Sequence, residues 1–134
     1  MTREIKFRAK IVMDVEPLAM KKGDWVEGHY YEDLQDGEWC SWIQECNDII
    51  HYKVDKNTLG QFTGLLDKNG KEIWEHNIVD WGGVKMLVEF IEGTFCMHVN
   101  YNVSTLHDIL FDRDIITVIG NYFDNPELME GGAE

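Results

Sequence analysis

The sequence is poor in the residues that crosslink a chain or anchor it in a membrane. It has three cysteines, two prolines and no apolar run near the roughly 20 residues that a membrane-spanning helix needs. An odd number of cysteines cannot all pair within one chain, and the first residues do not resemble a signal peptide. We therefore expect a soluble protein of a reducing cytoplasm, with no membrane partner.

Positive charge is also scarce. The chain has 12 Lys and Arg residues against 25 Asp and Glu residues, a formal net charge of −13. Such a chain repels phosphate backbones unless its cations share one surface. One small cluster is predicted, because Arg3, Lys6, Arg8 and Lys10 are interleaved with apolar residues and would line the polar face of a strand. Nucleic acid is therefore the less favoured partner.

Short stretches of alternating apolar residues dominate the sequence. Bounded by turn residues, they predict strands over 4–13, 25–31, 39–43, 49–54, 59–63, 73–81, 84–90, 94–101 and 115–120. A loop is predicted over 14–24, and Asp36-Gly37 suits a hairpin connection longer than two residues. One short helix is predicted over 104–112, and Asn125-Pro126-Glu127 is typical of the start of another.

The alternation also predicts which side chains are buried. Leu87 is expected to point away from the interior, with its charged neighbours. Seven residues are expected to share one apolar interior: Val84, Met86, Val88, Phe90, Phe95, Met97 and Val99. Five aromatic residues are expected to meet across strands, with core packing favoured over a ligand platform: Trp25, Tyr31, Trp39, Trp42 and Tyr52.

These elements predict a mainly β fold of antiparallel strands with one or two short helices. Many short strands favour a small β-barrel or a pair of packed sheets. The length of 134 residues fits one domain. The bend at Asp55-Lys56-Asn57 allows a division into an N-terminal β-meander and a barrel-like half.

No motif in the sequence specifies a reaction. Cys40, Cys46 and His51 are residue types that bind zinc, but their spacing matches no common zinc motif. Cys96 and His98 would share a sheet face without evident oxyanion donors. The glycines separate strands and do not precede a helix, as phosphate-binding loops require. We therefore predict no catalytic, cofactor or metal site, and no enzyme.

The stretch 60–79, GQFTGLLDKNGKEIWEHNIV, is the most specific in the chain. Together with REIKFRA at 3–9, WVEG at 25–28, VIGN at 118–121 and NPEL at 125–128, it resembles the YopX family of phage and prophage proteins. The positions that carry the family motif are expected to be structural: Trp25, Gly28, Gly60, Thr63, Gly64, Asp67, Asn69, Gly70, Ile78, Val79, Gly120, Asn121 and Pro126.

The resemblance implies a fold and a setting but no activity. It implies a single YopX-like domain over 1–134, with a β-meander over 1–57 and an SH3-like barrel half over 58–130, in a bacterial mobile element. The chain departs from the family at one turn, where an aromatic is usually followed by Glu-Gly-Asp and Ile-Val. Here the residues are Trp74-Glu75-His76-Asn77-Ile78-Val79, so the usual glycine is missing.

Two function classes follow from the sequence. The first is a non-enzymatic interaction or self-assembly module that binds a phage protein, a host protein or a second copy of itself. The alternative is a small β-barrel that binds nucleic acid, with Arg3, Arg8, Lys10, Trp25 or Trp42 at a stacking surface. Binding to nucleic acid would weaken steeply with salt, which separates the two classes.

Overall fold

The computed structural model describes residues 5–45, 49–91, 93–98, 107–108 and 115–130. The chain divides into two compact units, Met1–Gln61 and Phe62–Glu134. The described residues are mainly in antiparallel strands, with one short α-helix, which confirms the predicted fold class. The SH3-like barrel and the domain assignment stay predictions.

The described part of the chain contains eleven strands, one α-helix and two short 3-10 turns. The strands are β1 Phe7–Lys10, β2 Trp25–Gln35, β3 Glu38–Gln44, β4 His51–Lys53, β5 Gly60–Leu66, β6 Glu72–Trp74, β7 Asn77–Trp81, β8 Val84–Ile91, β9 Thr94–His98, β10 His107–Asp108 and β11 Ile116–Asn121. The helix is α1 Glu127–Glu130, and the 3-10 turns are Glu16–Leu18 and Lys56–Thr58.

The first unit is a meander. Its strands pair in the order β4-β3-β2-β1, and the first two residues of β5 pair with β1. The side chains on one side of these strands form its core: Ala9, Ile11, Val26, Ile43, Tyr52 and Val54. Alternation along the strands places the polar set of β1 on the other side.

The second unit has a sheet of order β10-β9-β8-β7-β11, and the later residues of β5 pair with β6. Its core cluster is Ile73, Val79, Met86, Val88, Phe95, Met97, Ile116 and Val118. Four of the seven predicted core residues, Met86, Val88, Phe95 and Met97, are in this cluster. Val99 lies outside the described residues.

Three expectations about strand β8 are wrong. Val84 and Phe90 are exposed, because they lie near the two ends of the strand, next to its turns and past the core cluster. Leu87 is buried, with an exposed fraction of 3%. Helix α1 contacts β8, and Ile78, the cross-strand partner of Leu87, is also buried. The middle of this sheet is therefore apolar on both faces.

Two predicted strand boundaries also need correction. The single strand expected over 73–81 is divided into β6 and β7 by a turn at Glu75-His76, where the backbone of His76 has a φ of 74°. The connection between β2 and β3 has only two residues, Asp36 and Gly37, since Gln35 and Glu38 still pair across the strands.

The helix predicted over 104–112 is wrong at the two residues that can be compared. His107 and Asp108 form strand β10 and pair with Met97 and Cys96 of β9. The rest of that predicted helix lies outside the described residues. At the other predicted helix, α1 starts at Glu127, directly after Pro126.

Candidate functional site

The turn after β5 is organised by one buried carboxylate, that of Asp67, which has an exposed fraction of 6%. Its Oδ1 accepts hydrogen bonds from the backbone amides of Asn69 at 2.8 Å and Lys71 at 2.9 Å. Its Oδ2 accepts a third bond from the buried amide of Val118, at 2.8 Å. One side chain therefore closes the turn and ties it to β11.

These bonds determine the ionisation of Asp67. Burial alone would raise its pKa, but the amides of Val118, Lys71 and Asn69 outweigh burial and hold the pKa below its ordinary value. The carboxylate is thus fixed in its charged form by backbone donors. Because all three of these donors belong to the backbone, the carboxylate serves the fold.

Three more motif residues shape the same hairpin. The Thr63 hydroxyl donates to the carbonyl of Ile73 at 2.7 Å. Gly64 lies at the register shift between β5 and β6, with a φ of 87°. Gly70 ends the turn, and its amide donates to the carbonyl of Asp67 at 3.0 Å.

The turn that lacks the family glycine still adopts the conformation that favours glycine. His76 occupies the glycine position with a positive φ, and its ring forms a T-shaped contact with the ring of Phe123 at a centroid distance of 5.2 Å. The side chain of Asn77 accepts from the amide of Trp74 at 2.7 Å and donates to the carbonyl of Gly120 at 3.3 Å. Side-chain bonds therefore hold a turn that is strained at His76.

The last motif residues pack around the end of β11. Ile78 and Val79 are fully buried in β7. A Cβ at Gly120 would lie 2.6 Å from Oδ1 of Asn125, the atom that accepts from the amide of Asn121 at 3.2 Å. The side chain of Asn125 thus bonds to β11, and its backbone carbonyl accepts from the amide of Leu128 in α1 at 3.1 Å, so Asn125 lies at the predicted start of the helix. Pro126 is exposed.

In the first unit, the motif glycine Gly28 allows two backbones to approach. A Cβ there would lie 2.0 Å from the carbonyl oxygen of Gln44, so any side chain would force β2 and β3 apart. Gly60 is buried and pairs with Arg8.

Trp25 brings together two of the residues predicted for nucleic-acid binding. The guanidinium carbon of Arg8 lies 4.6 Å from the centroid of the Trp25 ring, and Nζ of Lys10 lies 5.4 Å from it. Both are cation–π distances. Trp42 lies on β3, where it pairs with Tyr31 and Lys53, and Arg3 lies outside the described residues.

The end of the β2–β3 hairpin, which we name the arm and define as residues 32–41, is the candidate interaction site. Pairing is in register from Glu32–Ser41 through Leu34–Trp39 to Gln35–Glu38. The turn residues Asp36 and Gly37 have φ values of 51° and 82°. Two consecutive positive φ angles are typical of the tight turn that matches strand twist.

The arm exposes two large apolar side chains, one opposite the other. Leu34 has an exposed fraction of 58% and Trp39 one of 71%. The expectation that Trp39 packs in the core is therefore wrong. Of the other predicted core aromatics, Tyr52 is buried, and Trp25, Tyr31 and Trp42 are half-buried.

The base of the arm is held by polar contacts. The Tyr30 hydroxyl contacts Glu32 at 2.5 Å and Ser41 at 3.0 Å, and Lys56 forms an ion pair with Glu32 at 2.9 Å. The hydrogen bond from Tyr30, followed by the contact with Lys56, lowers the pKa of Glu32. Burial and the bond to Glu32 raise the pKa of Tyr30.

The other side of the arm's base carries a half-buried aromatic group. The rings of Tyr31 and Trp42 are nearly parallel with centroids 6.4 Å apart, and the rings of Tyr31 and His51 are nearly perpendicular with centroids 5.6 Å apart. Trp42 Nε1 donates to Asp33 at 2.8 Å, and the Tyr31 hydroxyl contacts His51 Nδ1 at 2.6 Å. Tyr31 and His51 therefore bond to each other, while the indole nitrogen of Trp42 bonds to a carboxylate of the arm.

Sequence reasoning missed the arm because it expected core packing for all five aromatic residues, Trp39 included, and the strand pattern does not show where the core ends. Charge could have indicated it. No Lys or Arg occurs between residues 23 and 52, while Glu32, Asp33, Asp36 and Glu38 surround the apolar pair. A tryptophan between carboxylates in a chain segment without cations is unusual for a core residue.

The described ranges hold no group of three or more His, Cys, Asp or Glu residues placed to bind a metal ion. Cys40 and Cys96 are buried and form no disulfide within those ranges, and Cys46 lies outside them. Over the same ranges, no helix has the length and apolar character needed to cross a membrane.

Comparison with known proteins gives a family and a fold. The family model described as YopX protein matches residues 6–130. The crystal structure of protein EF1440 from Enterococcus faecalis is similar to this chain, with a TM-score of 0.51 and 22% sequence identity. That similarity covers 96% of this chain and 99% of the other, and it concerns the fold alone. No curated protein matches.

Proposed function

Since this chain belongs to the YopX family, we propose that it is a phage- or prophage-derived protein whose role is non-enzymatic binding of another protein through the arm. The family motif builds the scaffold, and the arm makes the contact. The observation that carries this proposal is the exposed pair of Leu34 and Trp39.

Exposed tryptophan at the end of a structured hairpin favours protein binding. Tryptophan is among the residues that contribute most to interface affinity when buried by a partner. Leu34 lies directly across from Trp39, so both side chains point to the same side and offer one continuous apolar surface. Both are large enough to fill a pocket.

A non-enzymatic role is supported by how the motif's polar side chains are used. The buried Asp67, Thr63 and Asn77 each bond to backbone groups of the second unit. Side chains that satisfy backbone donors and acceptors are fixed in place and have little capacity left for a substrate. Their role is to hold the turns.

Photo-crosslinking in a bacterial lysate tests this proposal. A photoreactive amino acid replaces Trp39 in one sample and Lys85, an exposed residue of the second unit, in the control. We expect discrete crosslinked products from position 39 that the control position does not give. Equal or absent crosslinking at the two positions would contradict the proposal.

Nucleic-acid binding is the second candidate, and the contact of Arg8 and Lys10 with Trp25 supports it. Cations beside an aromatic ring are the elements of a single-strand binding surface. The net charge of −13 opposes it. Titration of labelled single-stranded DNA and RNA with the protein, at low and at high salt, tests this candidate. The absence of binding at low salt would exclude nucleic-acid binding.

A further inference from the structure

We infer that the arm binds a protein surface in which an apolar pocket is rimmed by Lys and Arg, and that this partner is not a second copy of the chain. The inference rests on the proposed function and adds the chemistry of the partner.

The apolar pair continues the core side of the first unit past the end of its core. Leu34 lies four residues after Tyr30, and Trp39 four before Ile43, so all four side chains point to the same side of the hairpin. Ile43 is fully buried, whereas Leu34 and Trp39 are exposed. The arm thus presents an apolar surface on the core side of the hairpin, and it is not part of the core cluster formed by the described residues of this unit.

The arm also has free strand edges over its described residues. Strand β1 pairs with β2 only over Trp25–Gly28, and β4 pairs with β3 only over Trp42–Gln44, with one further bond from the Val54 amide to the Ser41 carbonyl. Among the described residues, no third strand therefore pairs with the hairpin from Leu34–Trp39 outward. Charged residues on such edges oppose pairing with a similar edge.

The charges of the arm decide between the possible occupants. Glu32 is neutralised by Lys56, but Asp36 and Glu38 at the tip are exposed and form no ion pair with a described residue. Asp36 is in the turn, and Glu38 lies next to Trp39 in β3 with its side chain on the opposite face. A partner that covers Trp39 therefore enters the field of both carboxylates, which solvent ions screen only over about 10 Å. Lys and Arg around the pocket would compensate them, and complementary charge also favours the correct encounter.

A second copy of the arm is disfavoured by the same charges. In a two-fold symmetric contact the same patch would meet itself, so the tip carboxylates of both arms would share one interface. Like charges at an interface are costly, and the whole chain already carries −13. A basic partner meets neither obstacle.

The tight turn makes the arm suitable for docking. Asp36 and Gly37 close the hairpin in two residues, and the contacts of Tyr30 with Glu32 and Ser41 fix its base. A preformed hairpin loses little conformational entropy on binding. The apolar pair can therefore enter a pocket without prior folding.

Peptide selection tests the chemistry of the partner directly. A displayed random-peptide library is first depleted on the immobilised Leu34→Ser/Trp39→Ser double variant and then selected on the wild-type protein. We expect enriched peptides that combine Lys or Arg with large apolar residues. A synthetic peptide from this set should bind the wild type at least about tenfold more tightly than the double variant.

Matched variants locate the contact. Asp36→Asn/Glu38→Gln should weaken the same peptide several-fold and flatten its salt dependence, because the removed charges no longer attract cations. Phe90→Ser, which replaces an exposed aromatic residue of the second unit, should leave the affinity unchanged. Circular dichroism melts of every variant confirm that each one folds.

The other outcomes overturn the inference. Enriched peptides that lack cations, or no enrichment at all, would refute the basic partner; crosslinking at position 39 would then tell whether the proposed function survives. Light scattering that shows a dimer of the wild type and a monomer of the double variant would identify a second copy as the occupant. That result would contradict the inference and leave the interaction role intact.

Discussion

Two hairpins of this chain use Asp and Gly turns for opposite purposes. In the second unit, the turn between β5 and β6 is built around the buried carboxylate of Asp67, whose acceptors bind the amides of Asn69, Lys71 and Val118. In the first unit, the two-residue turn at Asp36-Gly37 leaves its carboxylate exposed. The turn at Asp67 joins parts of the fold, whereas the turn at Asp36-Gly37 is exposed at the end of the arm.

The difference teaches that turn chemistry alone does not tell a hairpin that holds the fold together from one that exposes apolar side chains. Asp and Gly are chosen in both cases because they tolerate tight reversals. What separates the hairpins is the fate of the side chains beside the turn. Around Asp67 they satisfy backbone groups, whereas Leu34 and Trp39 remain exposed to solvent.

The largest effect on stability is expected at the buried turn. Asp67→Ala leaves the amide of Val118 buried without its acceptor and should lower the free energy of unfolding by about 3 kcal/mol. The matched control is Asp80→Ala, which removes a carboxylate that accepts from the amide of Gly83 at the surface, 2.8 Å away. It should cost less than about 1 kcal/mol. Urea unfolding measures both, and equal losses would remove the contrast between the two kinds of turn.

A second comparison sets close packing against backbone strain. Gly28→Ala places a Cβ 2.0 Å from the carbonyl oxygen of Gln44 and should cost about 2 kcal/mol, because β2 and β3 must move apart. Gly37→Ala meets no atom within 4 Å but retains a φ of 82°, which should cost about 1 kcal/mol. Thermal and urea unfolding show which variant loses more stability. A larger loss in Gly37→Ala than in Gly28→Ala would show that β2 and β3 move apart at Gly28 with little cost in free energy.

The pH dependence of stability sharpens the role of Asp67. Its pKa in the folded protein is lowered, so its stabilising contribution is present above the unfolded pKa near ~4 and is lost as the pH falls through the folded pKa. Asp67→Asn should remove this part of the acid sensitivity. The free energies of unfolding of the wild type and of Asp67→Asn are measured at pH 7 and at successively lower pH. The difference between the two proteins should shrink as the pH falls, and a difference that stays constant would contradict the assignment.

The family resemblance and the strand pattern predicted much of this architecture, but not the arm. Alternation identified Met86, Val88, Phe95 and Met97 as core residues. It failed for Leu87, because a sheet covered on both faces no longer alternates in burial.

The arm was missed for a related reason. Alternation tells which side of a strand a residue lies on, and it does not tell how far along the strand the core extends. Core packing was therefore expected for Trp39 as for the other aromatic residues, although the core of the first unit ends before it reaches Trp39. The missing glycine at His76 was read correctly from the sequence, but the side-chain bonds of Asn77 beside it depend on residues distant in the chain.

The smallest effect on stability is expected where the effect on binding is largest. Leu34→Ser/Trp39→Ser removes apolar groups that are already exposed, so the free energy of unfolding should change by less than about 0.5 kcal/mol. The same variant should lose binding of the selected peptide and the partner captured at position 39. Measuring the free energy of unfolding and the binding of this double variant tests the central claim. Unchanged stability with lost binding agrees with a docking arm. A stability loss above about 2 kcal/mol with intact binding would show that Leu34 and Trp39 belong to the core.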